Sequence, residues 1–213
     1  MAPPIVAAFV SGVTDPVAVV AAMAAVVGSP LIWNIIARSE YRTHWLTRLA
    51  GGKYRGCYAL AVWIFTSSLY RDWLFAQACL ENPSSLIFPA GHTALDYNLN
   101  VGRVLCAVGS ILVLASYYRL GITGTYLGDY FGIYMKERVT AFPYTLFDDP
   151  MYTGATLAFL GQAVEWNSAV GVFLAVWVWL VYKIATKVFE DPFTTEIYRV
   201  KAEREAAEAK KAQ

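Results

Sequence analysis

Apolar residues in this chain fall in long runs separated by short polar stretches. The runs cover about residues 17–37, 54–79, 99–120, 150–166 and 168–189, and a shorter apolar stretch at 5–13 precedes them. Most of the runs approach the roughly 20 residues that an α-helix needs to cross the hydrocarbon of a bilayer. The pattern therefore predicts an all-α integral membrane protein, a bundle of about four transmembrane helices with an additional helix at the amino end.

Prolines and polar pairs mark the ends of the predicted helices. The Asp-Pro pairs at 15–16 and 149–150 each combine a carboxylate that can cap a helix with a proline at the first helical position, so both are predicted helix starts. Pro30 interrupts the first long run, which is predicted to be either a kinked span or a re-entrant helix that turns back within the membrane. The polar pair at 167–168 separates the last two runs and predicts a helical hairpin.

Composition and charge narrow the class of function. Apolar residues make up 57% of the chain and charged residues 15%, and the formal net charge is only +1. This balance does not indicate nucleic-acid binding, and the basic residues are better explained by membrane topology. We therefore expect the chemistry to occur at the bilayer, in a single helical domain over residues 1–189. The remaining residues, 190–213, are expected to form a cytosolic tail that contributes residues to the site of this chemistry.

Lysine and arginine are distributed unevenly between the loops. The connection over residues 80–97 has none, whereas the first loop has five, Arg38, Arg42, Arg48, Lys53 and Arg55. The positive-inside rule places the first loop in the cytosol, and counting spans places residues 121–149 and the tail there as well. Near the carboxyl end, Lys210 and Lys211 resemble the dilysine retrieval signal, which predicts the endoplasmic reticulum membrane.

Charged residues inside the apolar runs are expected at the lumenal side of the membrane. Arg71 and Arg103 lie toward the lumenal ends of their runs, where long side chains can snorkel to the headgroups. Glu165 falls at the same side, so topology excludes it from a cytosolic site.

Cysteine and histidine give no sign of metal or redox chemistry. Cys57, Cys79 and Cys106 lie in or beside apolar runs without the spacing of metal ligands, and they are predicted to pack. The two histidines, His44 and His92, fit no metal or catalytic-triad spacing. No metal is therefore expected in the site.

Two polar signatures flank the last pair of apolar runs, and they are the most informative part of the chain. Residues 148–154 read Asp-Asp-Pro-Met-Tyr-Thr-Gly, and residues 190–199 read Glu-Asp-Pro-Phe-Thr-Thr-Glu-Ile-Tyr-Arg. A helical hairpin returns the chain to the membrane face from which it started. Both signatures should therefore meet at one surface of the membrane.

Together with Leu-Gly-Asp-Tyr-Phe-Gly-Ile at 127–133, these signatures resemble those of the phospholipid N-methyltransferases. Pro-Leu-Ile-Trp-Asn at 30–34, followed by Ala-Arg at 37–38, extends the resemblance over nearly the whole chain. The resemblance implies transfer of methyl groups from S-adenosylmethionine to the amine of phosphatidylethanolamine or its mono- and dimethyl derivatives, giving phosphatidylcholine. A phospholipid in the membrane is then the expected partner, without nucleic acid.

The resemblance also assigns residues to the methyl donor. The family has Gly-x-Gly in a membrane segment and Glu-Glu after the last one, and this chain has Ala-Val-Gly ending at Gly109 and the pair Glu190-Asp191. A carboxylate at the membrane edge can pair with the donor ammonium, and Glu190 ranks above Asp191 because Asp191-Pro192 also has the form of a helix cap. The start of the fourth long run is predicted to complete the donor site with Met151, Tyr152 and Gly154, since an aromatic face suits adenine or a sulfonium and glycine admits a ligand.

The acceptor side is predicted from residues 124–138 and from the tail. Gly124, Gly128 and Gly132 recur every four residues and would line one face of a helix, for close packing or headgroup access. Methyl transfer needs the free lone pair of the amine, so assisted deprotonation is expected, with Asp129 the acid most expected to meet the ammonium. The predicted catalytic residues are Asp129, Tyr130 and Glu196, and the predicted substrate-binding residues are Gly128, Arg138, Tyr198 and Arg199.

Two other functions fit part of this pattern. The isoprenylcysteine carboxyl methyltransferases have a similar helical hairpin with an acidic pair, but their carboxylate acceptor should favour basic residues over the Leu-Gly-Asp-Tyr-Phe-Gly stretch. A membrane protein that binds lipid without turnover belongs to a different class. Binding of labelled S-adenosylmethionine, with and without methyl transfer, distinguishes that class from both enzymes.

Overall fold

The computed structural model describes residues 12–82 and 92–211. The apolar stretch at 5–13 therefore lies almost wholly outside the described residues, as do the side chain of His92 and the last two residues. The helices are α1 (Pro16–Thr43), α2 (Trp45–Ala50), α3 (Lys53–Leu80), α4 (His92–Thr125), α5 (Pro150–Glu165), α6 (Ala169–Ile184) and α7 (Asp191–Lys211). A 3₁₀-helix, Gly128–Phe131, follows α4, and a π-helical segment, Ala185–Glu190, joins α6 to α7. No strand occurs in the described ranges, so the all-α prediction is confirmed.

All five long apolar runs form helices. By length and composition alone, three helical stretches in the described residues are able to cross a membrane: α1, residues 99–131 and residues 169–211. Helix α3 is as long as α1, with 28 residues, but it has charged residues among its apolar ones. Helix α5 has 16 residues, which corresponds to about 24 Å. The membrane character predicted from the sequence is confirmed.

Helix α1 runs through Pro30 without turning back. Asp15 caps its start as predicted, since Oδ1 accepts hydrogen bonds from the amides of Val17 (2.9 Å) and Ala18 (3.1 Å). The helix then continues for 28 residues, with Pro30 buried inside it. The re-entrant alternative is therefore wrong, and packing against neighbouring helices compensates for the hydrogen bond that proline cannot make.

Helices α5 and α6 form the predicted hairpin. Asn167 adopts a left-handed conformation (φ 53°), and the Ser168 hydroxyl accepts a hydrogen bond from the Gly171 amide at 3.0 Å. At the other end, α5 begins at Pro150 as predicted, but the expected cap is wrong because the Asp149 side chain makes no capping hydrogen bond. Its carboxylate instead faces Lys183, at the end of α6, and Lys187, in the π-helical segment that follows.

Glycines allow α4 and α5 to pack with their backbones in contact. A Cβ atom on Gly109 would lie 2.5 Å from the Gly154 carbonyl oxygen, and one on Gly154 would lie 2.6 Å from the Gly109 carbonyl oxygen. Gly102 and Gly161 repeat this contact nearer the hairpin turn, at 2.7 Å in both directions. Such close approach needs glycine on both helices.

Gly124, Gly128 and Gly132 do not share a helix face, so that prediction is wrong. Gly121 departs from helical geometry (φ 63°), and the chain turns again at Leu127 (φ 57°) and Gly132 (φ 69°). The 3₁₀-helix lies between the last two turns, and Gly128 packs against the backbone of Thr123. The stretch is a compact turn, because left-handed residues end a helix rather than extend it.

Arg71 lies inside the bundle, so the prediction that it snorkels is wrong. Only 7% of its surface is exposed, and its guanidinium donates hydrogen bonds to the Tyr182 hydroxyl (2.6 Å) and the Asp72 carboxylate (2.8 Å). Arg103 is exposed and lies 3.6 Å from Glu165, near the hairpin turn. A buried arginine persists in a membrane helix only where such partners satisfy it.

Candidate active site

The carboxylate of Glu190 lies at the meeting point of three helical segments. Its Oε1 accepts hydrogen bonds from the Trp33 indole (2.9 Å) and the Asn34 amide (3.0 Å), both on α1. Its Oε2 accepts one from the Tyr152 hydroxyl on α5 (2.8 Å). The two polar signatures thus meet, as the hairpin predicted, and α1 completes the site.

The π-helical segment turns Glu190 toward α1. A π-helix bonds each amide to the carbonyl five residues back, which adds a residue to the turn and shifts every later side chain around the axis. Glu190 then faces Trp33 and Asn34, while Asp191 points outward and pairs with Lys187 at 2.9 Å. Asp191 itself has helical backbone angles (φ −54°, ψ −49°), so it is not the cap that its Asp-Pro form indicated.

Two unused hydrogen-bonding atoms belong to residues that contact Glu190 or its neighbour Phe189. The Asn34 Oδ1 acceptor and the Arg38 Nε donor are buried without a hydrogen-bond partner among the described residues. Arg38 is held by its other nitrogen, which donates to the Phe189 carbonyl oxygen (2.7 Å), and it stacks 4.6 Å from the Phe193 ring. Buried polar atoms are normally paired, so this acceptor and this donor indicate a place for a polar ligand.

The 3₁₀-helix brings Asp129 and Tyr130 to the same region. The Asp129 carboxylate lies within hydrogen-bonding reach of Thr194 on α7 and close enough to Glu190 for their charges to interact. Tyr130 is fully buried and stacks on Phe193, with ring centroids 5.1 Å apart. The Leu-Gly-Asp-Tyr-Phe-Gly stretch and the donor signature are therefore neighbours.

Other predicted site residues lie outside the Glu190 cluster. Glu196 and Arg199 are exposed on α7 and form an ion pair at 2.6 Å, which Glu203 extends. Tyr198 accepts a hydrogen bond from the Met135 amide (3.2 Å), which fastens the loop after the 3₁₀-helix to α7. Arg138 lines a shallow cavity of about 170 Å³ with Tyr144 and Asp148. The hydrogen bonds of the Glu190 carboxylate in the described residues come from Trp33, Asn34 and Tyr152 rather than from these four residues or half-buried Met151, whose functional roles stay predictions.

Helix packing accounts for the two glycines assigned to the donor. A Cβ atom on Gly109 or Gly154 would point at the backbone of the other helix. Their assignment to the donor site stays a prediction. Gly154 nevertheless serves the site indirectly, because its close contact fixes the start of α5. Tyr152 lies two residues earlier on the same helix.

The contribution of α1 to the Glu190 cluster was not predicted. Trp33 and Asn34 were noted only as part of the resemblance, and Arg38 also as a basic residue of the first loop. A physical signal was present, because Asn34 and Arg38 are polar residues one turn apart in an apolar helix. Polar residues at such positions are costly unless they face a polar interior.

A second set of contacts, through Tyr182 and Arg71, supports Tyr152. Its ring packs against the ring of Tyr182, with centroids 4.8 Å apart, and the Tyr182 hydroxyl accepts the hydrogen bond from Arg71. Tyr152 is thereby held between Tyr182 and Glu190. In the described part of the chain, no cluster of histidine, cysteine or acidic side chains is arranged to hold a metal ion.

Comparison with known proteins decides the family. The model of the phospholipid methyltransferase family matches residues 97–201. A phosphatidyl-N-methylethanolamine N-methyltransferase of Emericella nidulans is 48% identical over 183 residues, which are 86% of each chain. The chain belongs to the phospholipid methyltransferase family. No solved structure matches it significantly.

Other members of the phospholipid methyltransferase family have a similar sequence identity to this chain. The phosphatidyl-N-methylethanolamine N-methyltransferase of Saccharomyces cerevisiae is 47% identical over 171 residues, 80% of each chain. The human phosphatidylethanolamine N-methyltransferase is 43% identical over 195 residues, which cover 90% of this chain and 94% of the human one. The resemblance inferred from the motifs is confirmed, and membership indicates a membrane methyltransferase. Neither the isoprenylcysteine alternative nor the inactive lipid-binding protein is favoured.

Proposed function

We propose that the protein transfers methyl groups from S-adenosylmethionine to the amine of phosphatidylethanolamine or its mono- and dimethyl derivatives, producing phosphatidylcholine. The observation that carries this proposal is the Glu190 carboxylate, held by Trp33, Asn34 and Tyr152 where the two polar signatures meet. The names of the related enzymes from fungi and human support the same reaction.

The atoms around Glu190 suit the amino-acid end of the donor. That end has an ammonium and a carboxylate. Glu190 and the unpartnered Asn34 Oδ1 are acceptors for the ammonium, and the unpartnered Arg38 Nε is a donor for the carboxylate. Glu190 is acidic, and the basic Arg38 contacts the backbone of the preceding residue, Phe189, so the two groups together match a zwitterion.

The acceptor amine requires a different set of groups. When bound, S-adenosylmethionine supplies an electrophilic methyl group on a sulfonium. Tyr152 lies at the edge of the donor site, where its aromatic face suits a cation, and its hydroxyl is engaged by Glu190. Asp129, close to Glu190 and Thr194, is the acid placed to orient the substrate ammonium and accept its proton.

Purified protein in liposomes with labelled donor tests the proposed function directly. The unmethylated, monomethyl and dimethyl lipids are offered in separate reactions, and incorporation of label into each lipid is measured. We expect transfer to at least one of them. A folded protein that binds the donor but labels none of the three lipids would contradict the proposal.

Replacing Asp129 by asparagine should depress methyl transfer about 100-fold at neutral pH while leaving donor affinity nearly intact. The defect should shrink as pH rises, because a larger share of the substrate amine is then already deprotonated. Transfer rates are measured across pH, together with donor affinity by calorimetry. Glu208→Gln, an exposed acid on the tail, is the control. Wild-type rates of Asp129→Asn at every pH would remove Asp129 from the mechanism.

We place the site on the cytosolic side of the endoplasmic reticulum membrane. The charge asymmetry of the loops supports this orientation, and the dilysine-like Lys210 and Lys211 support this membrane. The basic loop and the site also lie at the same end of the bundle, since Lys53 contacts the Gly132 carbonyl oxygen (3.3 Å) and Arg38 contacts that of Phe189.

Cysteine labelling in sealed vesicles tests the orientation. Leu49→Cys, in the short helix α2 within the basic first loop, and Ala206→Cys, in the tail, should react with a membrane-impermeant thiol reagent added from the cytosolic side. Glu81→Cys, at the far end of α3, should react only after the vesicles are opened. All three positions are exposed, so accessibility of the side chain does not differ between them. The reverse pattern would overturn the cytosolic site.

A further inference from the structure

The buried guanidinium of Arg71 contacts both arms of the α5–α6 hairpin. On the α6 side it donates a hydrogen bond to the Tyr182 hydroxyl at 2.6 Å. On the α5 side it lies over the ring of Phe159, 5.3 Å from the centroid. The Asp72 carboxylate accepts a further hydrogen bond from it at 2.8 Å. Arg71 itself belongs to α3, so one side chain of a third helix joins the two arms.

These two contacts lie about two helical turns from the Glu190 cluster. Phe159 follows Tyr152 by seven residues on α5, which corresponds to roughly 10 Å. Tyr182 precedes Glu190 by eight residues, or roughly 12 Å. The rings of Tyr182 and Tyr152 pack with centroids 4.8 Å apart, and the Tyr152 hydroxyl donates to the Glu190 carboxylate at 2.8 Å. Arg71 is thereby connected to that carboxylate through two side chains.

The stability of the bundle does not explain an arginine at this position. A charged side chain inside a membrane helix costs free energy even where partners satisfy it. The surroundings are apolar, since Phe75 packs on Phe159 with centroids 4.7 Å apart and Leu174 and Val178 are fully buried in the same cluster. An apolar side chain would extend this packing, and such replacements of buried charged groups are often neutral or stabilising. The guanidinium is therefore better explained by what its hydrogen bonds position.

On the basis of the proposed function, we propose that Arg71 is a positioning residue for binding of the methyl donor. Its hydrogen bond fixes the ring of Tyr182, which in turn fixes the ring of Tyr152. The Tyr152 hydroxyl is then directed at Oε2 of Glu190, and the carboxylate is held ready for the donor ammonium. Because Arg71 contacts both arms, it also sets the distance between α5 and α6 near the site. Without the guanidinium, Tyr152 takes other orientations and Glu190 loses a defined partner.

Donor and lipid kinetics of Arg71 variants test this role. Arg71→Met keeps most of the apolar stem, so the donor Kd measured by calorimetry should rise about 10-fold while the KM for dimethyl lipid stays within about twofold. Tyr182→Phe, which deletes only the hydroxyl, should have the same effect. Arg71→Lys should recover the donor Kd to within about threefold of wild type, since an ammonium can donate to the same acceptors. Arg103→Met, an exposed arginine near the hairpin turn, is the matched control.

A double-mutant cycle separates positioning from a general loss of stability. In a Tyr152→Phe protein, which lacks the hydroxyl that reaches Glu190, adding Arg71→Met should weaken donor binding by no more than about twofold further. Losses that multiply in the double variant would show that Arg71 does not act through Tyr152 and would overturn the proposal. A donor Kd within twofold of wild type in both Arg71→Met and Tyr182→Phe would overturn it as well.

Fluorine NMR gives a readout that depends on neither donor nor turnover. In protein labelled with 3-fluorotyrosine, the Tyr152 resonance is the one absent from the Tyr152→Phe spectrum. It should shift or broaden in Arg71→Met and stay in place in Arg103→Met, and an unchanged Tyr152 resonance in Arg71→Met would contradict the proposed role. If the wild-type protein binds the donor but transfers no methyl group, while Arg71→Met moves the resonance and weakens that binding, only the proposed reaction is contradicted.

Discussion

Glu190→Gln should weaken S-adenosylmethionine binding by about 10- to 150-fold, the effect of losing one charge-assisted contact worth roughly 1.5–3 kcal/mol. The structure indicates a second effect of this substitution, the loss of a hydrogen-bond partner inside the site. Glu190 accepts three hydrogen bonds, from Trp33, Asn34 and Tyr152, and glutamine offers one oxygen acceptor and one amide donor in place of two oxygens. At least one of the three donors therefore loses its partner, and transfer should fall at least as much as binding.

The neighbouring acid provides the matched control. Asp191→Asn makes the same chemical change one residue away, but Asp191 is exposed and pairs only with Lys187 in the described residues. Its effect on donor affinity, measured by calorimetry in the same detergent, should stay within about threefold because exposed ion pairs contribute little. Equal losses in both variants, or unchanged affinity in a folded Glu190→Gln protein, would remove Glu190 from the donor site.

Gly154→Ala should destabilise the protein by about 3 kcal/mol or more, although it adds only one methyl group. The new Cβ atom would lie 2.6 Å from the Gly109 carbonyl oxygen and 2.9 Å from the Leu112 Cβ atom, so two helices must separate to admit it. Thermal unfolding in detergent, followed by circular dichroism, measures the loss. Activity should fall with stability, because α5 also carries Tyr152.

Gly28→Ala is the control for this substitution. Gly28 lies inside α1 with no atom within 4 Å of an added Cβ atom, so alanine should stabilise the helix by about 0.5–1 kcal/mol. The two glycine-to-alanine changes should therefore shift the melting temperature in opposite directions. A Gly154→Ala protein that melts at or above the wild-type temperature would show that the helices do not pack as described.

Much of the fold followed from the sequence because the membrane restricts the choices. Apolar runs of spanning length must form helices, and the Asp-Pro pairs fixed the starts of α1 and α5 at Pro16 and Pro150. The return of the chain after Ser168 then followed from the hairpin. Such local signals require no knowledge of which helices are neighbours.

The errors arose where contacts between helices decide the outcome. The sequence pattern did not show that Arg71 meets Tyr182 inside the bundle, so the prediction that it snorkels was wrong. Spacing of four residues suggested a helix face for Gly124 and Gly128, whereas left-handed turns bend that stretch. The prediction ranked Glu190 above Asp191 for the donor site, and this ranking agrees with the geometry. The reason is the π-helical turn, which no residue pattern predicts.

The last helix is continuous from the hairpin turn, through Glu190, to the tail. Residues 169–211 form one helical rod of 43 residues, roughly 64 Å long, against about 30 Å of hydrocarbon. About half of this helix therefore extends beyond the membrane, and Glu190 lies near the point where the helix leaves it. Ile197, 1% exposed, packs the outer part of the helix against the bundle and restricts its rotation. Within residues 169–211 no break in the helix separates Glu190 from the outer part, so the position of the carboxylate is tied to the packing of that part.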